Sequence, residues 1–316
     1  MTSASRVADA LLASPPKIDR VGVSAMIVGT FITAWSGVLV RLIDVGPFAA
    51  GAWRVALAVP ALAAWARFAQ RGRPAAARAA PPIRLLIIAG LAFALNLGLF
   101  HMSLTGTRIA NAAFIGAVGP IVTVVGGALF FRERSSSRIW LALGLALLGA
   151  WTMAGWVAPT RIGYGDAFAL CSSVVYSGYL LTIKQARAQV DAATATLWSA
   201  AVSAFALAAA AWLHGEKLVP SSAFGWTMAA LLGFGVHALG QGLTSKAMGR
   251  APVAIIALVI LAQPPVTAFA GWSVLGEGMT RMQLAGGAII LAAVLLSSPF
   301  TASPSRRSSP TGTARR

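Results

Sequence analysis

Ten stretches of this chain are long and apolar enough to cross a bilayer, and that repeat of apolar runs constrains the fold more than any motif. A spanning helix needs about 20 apolar residues, at 1.5 Å rise, to cover roughly 30 Å of hydrocarbon. Segments 24–43, 47–68, 83–104, 109–131, 138–156, 164–186, 193–213, 223–245, 251–275 and 281–299 meet that requirement. The runs are continuous, rich in Ala and Leu, and lack the period-two alternation of a membrane barrel strand. The fold class is therefore all-α integral membrane, with ten transmembrane helices. Composition agrees: of 316 residues 58% are hydrophobic and 10% charged, against about 25% charged in a soluble domain, which excludes a soluble enzyme. A lone Cys171 excludes a disulfide scaffold and a cysteine zinc site. The first apolar run follows 23 mostly polar residues and is longer than a signal-peptide core, so it is read as retained.

The net charge of +17 points to nucleic acid only if the basic residues form one patch, and they do not. They lie in short clusters between apolar runs. With the N-terminus placed in the cytoplasm, nineteen Lys and Arg fall on the cytoplasmic side, five fall on the other (Arg41, Arg108, Arg161, Lys217 and Arg281), and Arg54 is left inside the second span. The positive-inside bias therefore predicts a multi-pass protein of the cell inner (plasma) membrane with both termini cytoplasmic. Residues 1–23 form the cytoplasmic N-terminal segment, and 300–316, built from Ser, Thr, Pro, Gly and Arg, form a disordered cytoplasmic tail. The expected surroundings are the lipid bilayer and a small-molecule substrate, with no nucleic acid.

The chain also repeats itself. Pro120-Ile121-Val122-Thr123 leads thirteen residues later to Glu133, and Pro264-Pro265-Val266-Thr267 leads thirteen residues later to Glu277. Trp35-Ser36-Gly37 matches Tyr176-Ser177-Gly178, and Arg138, Leu141, Ala142 and Gly144 have the spacing of Arg281, Leu284, Ala285 and Gly287. The chain thus reads as two five-helix repeats, 24–156 and 164–299. Five is odd, so the second repeat starts on the opposite face from the first and the repeats are inverted. Many secondary transporters are built this way, because exchanging the conformations of the two halves moves the opening of a central cavity from one face to the other.

Candidate functional residues follow from polarity at mid-span. His237 and Gln241 lie one turn apart on the eighth span, and Asn96 is related to His237 by the repeat shift. With Trp35, His101, Tyr176, Tyr179 and Gln263 they are the candidate cavity-lining, substrate-binding residues. Isolated His and mid-span aromatic residues also serve as plain packing. Pro120 and Pro264, deep in apolar spans, each remove a backbone hydrogen bond; they are either hinges or static packing kinks. Glu133 and Glu277 sit at helix ends near Arg132, Arg134 and Arg281 and are expected as ion pairs that close one gate at a time. Arg54 either pairs with a substrate carboxylate or a loop acid such as Asp44, or snorkels to the outer interface. Gly126-Gly127 and Gly286-Gly287 permit close helix contact. No nucleophile with a base partner, zinc motif or phosphate loop is present, so no catalytic residue, metal or cofactor is expected.

In order along the chain, Trp35-Ser36-Gly37, Arg54, the Pro120 to Glu133 unit, Gly165-Asp166, Tyr176-Ser177-Gly178-Tyr179, Lys246-Ala247, Gln263-Pro264 and Gly276-Glu277 resemble the drug/metabolite transporter superfamily in its EamA-type form. The resemblance covers about 24–298. It implies ten helices in two repeats, transport of a small molecule such as an amino acid, a nucleotide-like metabolite, a cofactor or a drug, and a monomer or homodimer. Many relatives carry a carboxylate just before the proline of the ninth span, where this chain has the neutral Gln263. The expectation is a secondary transporter, exporter or exchanger, of a small organic metabolite such as an amino acid, by alternating access around a midplane cavity and with at most weak proton coupling. A membrane-embedded lipid-modifying enzyme, or a non-transporting membrane partner or channel, are the competing readings.

Overall fold

The computed structural model describes residues 19–71, 81–106, 115–133, 135–155 and 163–297. Apolar helices fill them in chain order: α1 (Arg20–Leu42), α2 (Pro47–Gln70), α3 (Ile83–Gly106), α4 (Val118–Phe131), α5 (Ser137–Met153), α6 (Tyr164–Arg187), α7 (Ala192–Leu213), α8 (Ala223–Met248), α9 (Val253–Leu275) and α10 (Arg281–Ser297). Each coincides with one of the ten apolar segments. Seven are long and apolar enough to span a bilayer, and α4, α5 and α10 are shorter apolar helices. The start of the fourth segment, residues 109–114, lies outside the described residues, as do 1–18 and the proposed tail.

Local chemistry sets the helix starts. Asp19 accepts the Val21 N–H (2.9 Å) ahead of α1, Asp191 accepts the Thr194 N–H (2.9 Å) ahead of α7, and Ser222 accepts the Gly225 N–H (2.9 Å) ahead of α8, each an N-cap that satisfies an orphan donor. Proline sets three interruptions. α2 turns at Leu57 before Pro60, the helix turns at Ala117 before Pro120, and α9 turns at Leu261 and Ala262 before Pro264. In each case the pyrrolidine ring collides with the carbonyl one turn back and supplies no N–H to it. Pro120 frees the Gly116 carbonyl, to which Ser173 of α6 donates at 3.1 Å. α1 breaks at Trp35 without a proline. There the Thr33 hydroxyl donates back to the carbonyls of Gly29 (2.9 Å) and Thr30 (3.1 Å), a local bond that bends helices.

The packing obeys a twofold exchange of the repeats. α1 packs on α8 and α9, and its counterpart α6 packs on α3 and α4; α2 packs on α7, α4 on α9 and α5 on α10, each against its own counterpart. The ends of α4 and α9 are built alike. Arg132 (φ 55°) and Gly276 (φ 68°) both adopt the left-handed cap, and the next N–H, of Glu133 or Glu277, returns to the carbonyl of Gly127 (3.2 Å) or Gly271 (3.4 Å). In the α5–α10 contact a Cβ on Gly149 would stand 2.7 Å from the Gly286 carbonyl oxygen, so only glycine permits the approach.

Between the halves lie fully buried side chains such as Met26, Leu62, Phe93, Tyr179 and Leu207. Outward the bundle presents Phe130, Leu129, Phe205 and Trp212, all more than two-thirds exposed. A bundle of helices, whose backbone bonds are made mostly within each segment, with an apolar exterior is matched to hydrocarbon.

Candidate functional site

Polar groups converge near the middle of the bundle around the buried ring of Phe93 on α3. Arg54, one turn before the Leu57 break in α2, is only 7% exposed. Its Nη1 donates to the Ser36 hydroxyl at 2.8 Å, and its guanidinium carbon stands 5.7 Å from the Phe93 ring centre. Ser36 is the first residue after the α1 break, so both interruptions shape the contact. The Arg54 Nε has no partner. His237 also packs on Phe93, with the ring centres 5.2 Å apart. It is fully buried, and neither ring nitrogen has a hydrogen-bond partner. Tyr179 also meets Phe93 (4.8 Å) and stacks on Tyr176 (5.8 Å, 23°), while Gln241 donates to the Tyr179 hydroxyl at 3.2 Å.

His237 and Gln241 both belong to an eleven-residue π-helical stretch, Leu231–Gln241, inside α8. A π segment is rare and usually marks a functional position. Nothing in the residue pattern announces it; the run reads as ordinary apolar helix.

Of the candidate lining residues, the structure brings Tyr176, Tyr179, His237 and Gln241 together, joined by Arg54, and adds Ser36 and Phe93. The other candidates bond to neighbouring elements. Asn96 does not face His237: its amide donates to the carbonyl (3.0 Å) and hydroxyl (2.9 Å) of Ser172, locking α3 to α6. His101 sits at the start of α2, its Nδ1 2.7 Å from the Pro47 carbonyl. Gln263 donates to the Thr33 hydroxyl at 2.9 Å, and Thr267 donates to the Ala34 carbonyl at 2.8 Å. The α9 break is thereby stitched to the α1 break, beside the half-buried Trp35.

Among the described residues each end of the bundle carries two ion pairs between the halves, Arg41–Glu277 with Lys217–Asp44 at one end and Lys184–Glu133 with Arg250–Asp19 at the other, and one of each two is made by a repeat-equivalent glutamate. Glu133, after α4, pairs with Lys184 of α6 at 2.5 Å and accepts the Val253 N–H of α9 at 2.7 Å. Glu277, after α9, pairs with Arg41 of α1. These partners replace the sequence neighbours Arg132 and Arg281; Arg134 lies outside the described residues. The signal that could have found them is the repeat itself, since Arg41 and Lys184 are 143 residues apart and the two glutamates 144. Beside Lys184 lies a recess of about 300 Å³ lined by Glu133, Lys184, Arg187, Arg250 and neighbouring backbone. Near Arg41, Asp44 is not the partner of Arg54. It accepts from the Ser221 hydroxyl (2.6 Å) and N–H (2.9 Å) and from Lys217 (3.1 Å), and these bonds hold its carboxyl below the usual carboxylate range. Among the described residues no three His, Cys, Asp or Glu side chains converge on a metal position.

Comparison with known proteins gives a consistent picture. The EamA-like transporter family matches the chain twice, over residues 20–155 and 163–298. The pseudopaline exporter of Pseudomonas aeruginosa is 22% identical over 67% of this chain and 74% of its own length. An uncharacterized transporter of Archaeoglobus fulgidus is 27% identical over 64% and 72%, and the threonine/homoserine exporter of Escherichia coli is 28% identical over 62% and 65%. A solved crystal structure superposes with a TM-score of 0.72 over 87% of this chain and 97% of the other, at 19% identity, a likeness that carries the fold alone.

Proposed function

The chain belongs to the EamA-like transporter family, a multi-pass membrane protein, and from that premise we propose that it exports an amino acid or amino-acid-like metabolite by alternating access. One observation carries the mechanism. The two glutamates that the repeats place equivalently each bridge the two halves, Glu133 to Lys184 at one end and Glu277 to Arg41 at the other, with the polar cluster of Arg54, Tyr179, His237 and Gln241 between them.

In this reading the two ion pairs are gates. Breaking the Glu277–Arg41 pair opens the cluster to one side, breaking Glu133–Lys184 opens it to the other, and inverted repeats make the two movements mirror one another. Pro120 and Pro264 act as hinges, because the backbone bonds they remove leave α4 and α9 free to bend at equivalent places. The export of threonine, homoserine and pseudopaline by relatives supports a substrate of this class. The Lys184 end is assigned to the cytoplasm of the inner membrane by its larger share of Lys and Arg.

Proton coupling in this reading is weak, since the described carboxylates sit at helix ends or in loops while mid-span carboxylates are common proton carriers. Purified protein in liposomes preloaded with unlabelled threonine should take up labelled threonine without a pH gradient. Uptake that strictly requires an imposed gradient, with no counterflow, would contradict the weak coupling. Absence of flux for a panel of amino acids under either condition would contradict export itself.

A further inference from the structure

Arg54 is a buried cation with no counter-ion among the described residues. Asp19, Asp44, Glu133 and Glu277 are engaged in the four ion pairs found among the described residues. The remaining described acids are occupied elsewhere. Glu216 accepts the Phe48 and Ala49 N–H groups at the start of α2, Asp191 caps α7, and Asp166 accepts the Gly163 N–H at the start of α6. A guanidinium 7% exposed inside an apolar bundle is costly to leave uncompensated. One neutral hydroxyl, that of Ser36, and the face of Phe93 do not neutralise it. Against the same ring packs His237, fully buried with both nitrogens unpartnered, although buried polar atoms in folded proteins nearly always find partners. Two donor-bearing groups packed against one aromatic ring, with the Arg54 Nε and both His237 nitrogens unpartnered, suit an anion with more than one acceptor.

We propose that Arg54 and His237 form a carboxylate-recognising subsite in the centre of the bundle, taking the carboxylate of a small zwitterionic or anionic solute. The assignment rests on the transport reading above and narrows it to a chemical class. Ser36 holds one arm of the guanidinium, leaving Nε and the second arm as the fork that a carboxylate accepts bidentately. An imidazole in either tautomer offers one N–H, which fills a remaining lone pair of the carboxylate. Phe93 and the stacked Tyr176–Tyr179 pair supply an apolar wall for the rest of the solute.

The test compares amino acids with their amides, which differ only at the carboxylate. Binding is measured on detergent-purified protein by calorimetry for L-threonine, L-homoserine and L-leucine against the matching amides, and flux is measured in proteoliposomes with the same pairs. The wild type should bind at least one acid about tenfold or more tightly than its amide. Arg54→Gln should abolish that discrimination, and Arg54→Lys should recover only part of it because an ammonium lacks the fork. His237→Phe, which keeps the packing on Phe93, should weaken the acid and leave the amide unchanged. The acid–amide comparison on the wild type does not depend on any variant folding. Equal binding of acids and amides, binding of no acid at all, or discrimination that survives in Arg54→Gln overturns the proposal. Amide flux equal to acid flux removes this site and leaves export standing, whereas acid-selective binding with no flux for any pair leaves the site standing and removes the export reading.

Discussion

Glu133 and Glu277 occupy the same place in the two repeats, after the same left-handed turn and with the same backbone return, yet the ion pairs they make are built differently. The Lys184 and Glu133 side chains are 17% and 19% exposed, whereas those of Arg41 and Glu277 are 38% and 51% exposed. Glu133 also accepts a backbone N–H at the start of α9. Lys184 donates to the Ala251 carbonyl at 3.3 Å and lies 5.6 Å from the Phe131 ring centre. Solvent-exposed ion pairs are worth about 0–1 kcal/mol, and partial burial with extra hydrogen bonds raises the cost of losing one partner. Sequence symmetry therefore does not imply energetic symmetry: in the proposed alternating-access reading the Lys184–Glu133 pair is the firmer of the two gates and the Arg41–Glu277 pair the readier to open.

The largest test of that difference is charge reversal. Glu133→Lys should reduce threonine counterflow by about tenfold or more, equivalent to about 1.4 kcal/mol in a barrier, and Glu133→Lys combined with Lys184→Glu should restore most of it. Glu277→Lys should cost less, about twofold to threefold for a pair worth under 1 kcal/mol. Initial rates in proteoliposomes decide it, and equal losses at the two ends would erase the distinction.

A smaller effect probes where the repeats diverge in backbone chemistry. Arg132 has φ 55° where its counterpart is Gly276, and a non-glycine residue in that conformation carries strain of about 1 kcal/mol. Arg132→Gly should raise the melting temperature in detergent slightly, and Gly276→Arg should lower it. Opposite signs would show that the two turns are not equivalent after all.

The smallest effect belongs to Asp44 at the readier end. Its folded-state carboxyl titrates below its ordinary value because the Ser221 hydroxyl and N–H and Lys217 hold the charged form. The stability it contributes is therefore fully present above the ordinary carboxylate value of about 3.9 and is lost as pH falls through the lower folded value. Melting temperature followed from pH 6 down to pH 3 should fall less steeply for Asp44→Asn than for the wild type. Identical slopes would remove Asp44 from the closure of that end.

The spans were legible because a bilayer demands about 20 apolar residues and ten apolar runs stand out, seven of them folding as helices of spanning length and three as shorter apolar helices among the described residues, and the repeats because proline, glycine and glutamate recur at fixed offsets. Side-chain partners were less so. Arg132 and Arg281 adjoin the glutamates in sequence, but a helix end points its acid across the bundle, and only packing of one half on the other shows that Lys184 and Arg41 arrive there. Asn96 has the register of His237, yet an amide can satisfy itself on Ser172, while His237 finds no partner. The π stretch in α8 leaves no compositional trace, since nothing about Leu231–Gln241 distinguishes it from an apolar α-helix. Arg54 was visible as a charge inside a span; that its neighbour is Ser36 depends on the break at Trp35, which no proline announces.

The central claim, that the two ends open in turn, is tested most directly by distances measured across both ends in one preparation. Spin-label pairs at Ser135 and Ala188 near Glu133–Lys184, and at Val45 and Gly278 near Glu277–Arg41, would be placed in a Cys171→Ser background and followed by pulsed dipolar spectroscopy with and without threonine in lipid nanodiscs. The account predicts two populations at each end and opposite shifts, one end lengthening as the other shortens, with the Val45–Gly278 pair showing the larger open fraction in the absence of solute. Both ends lengthening together, or neither changing in protein that catalyses flux, would contradict it.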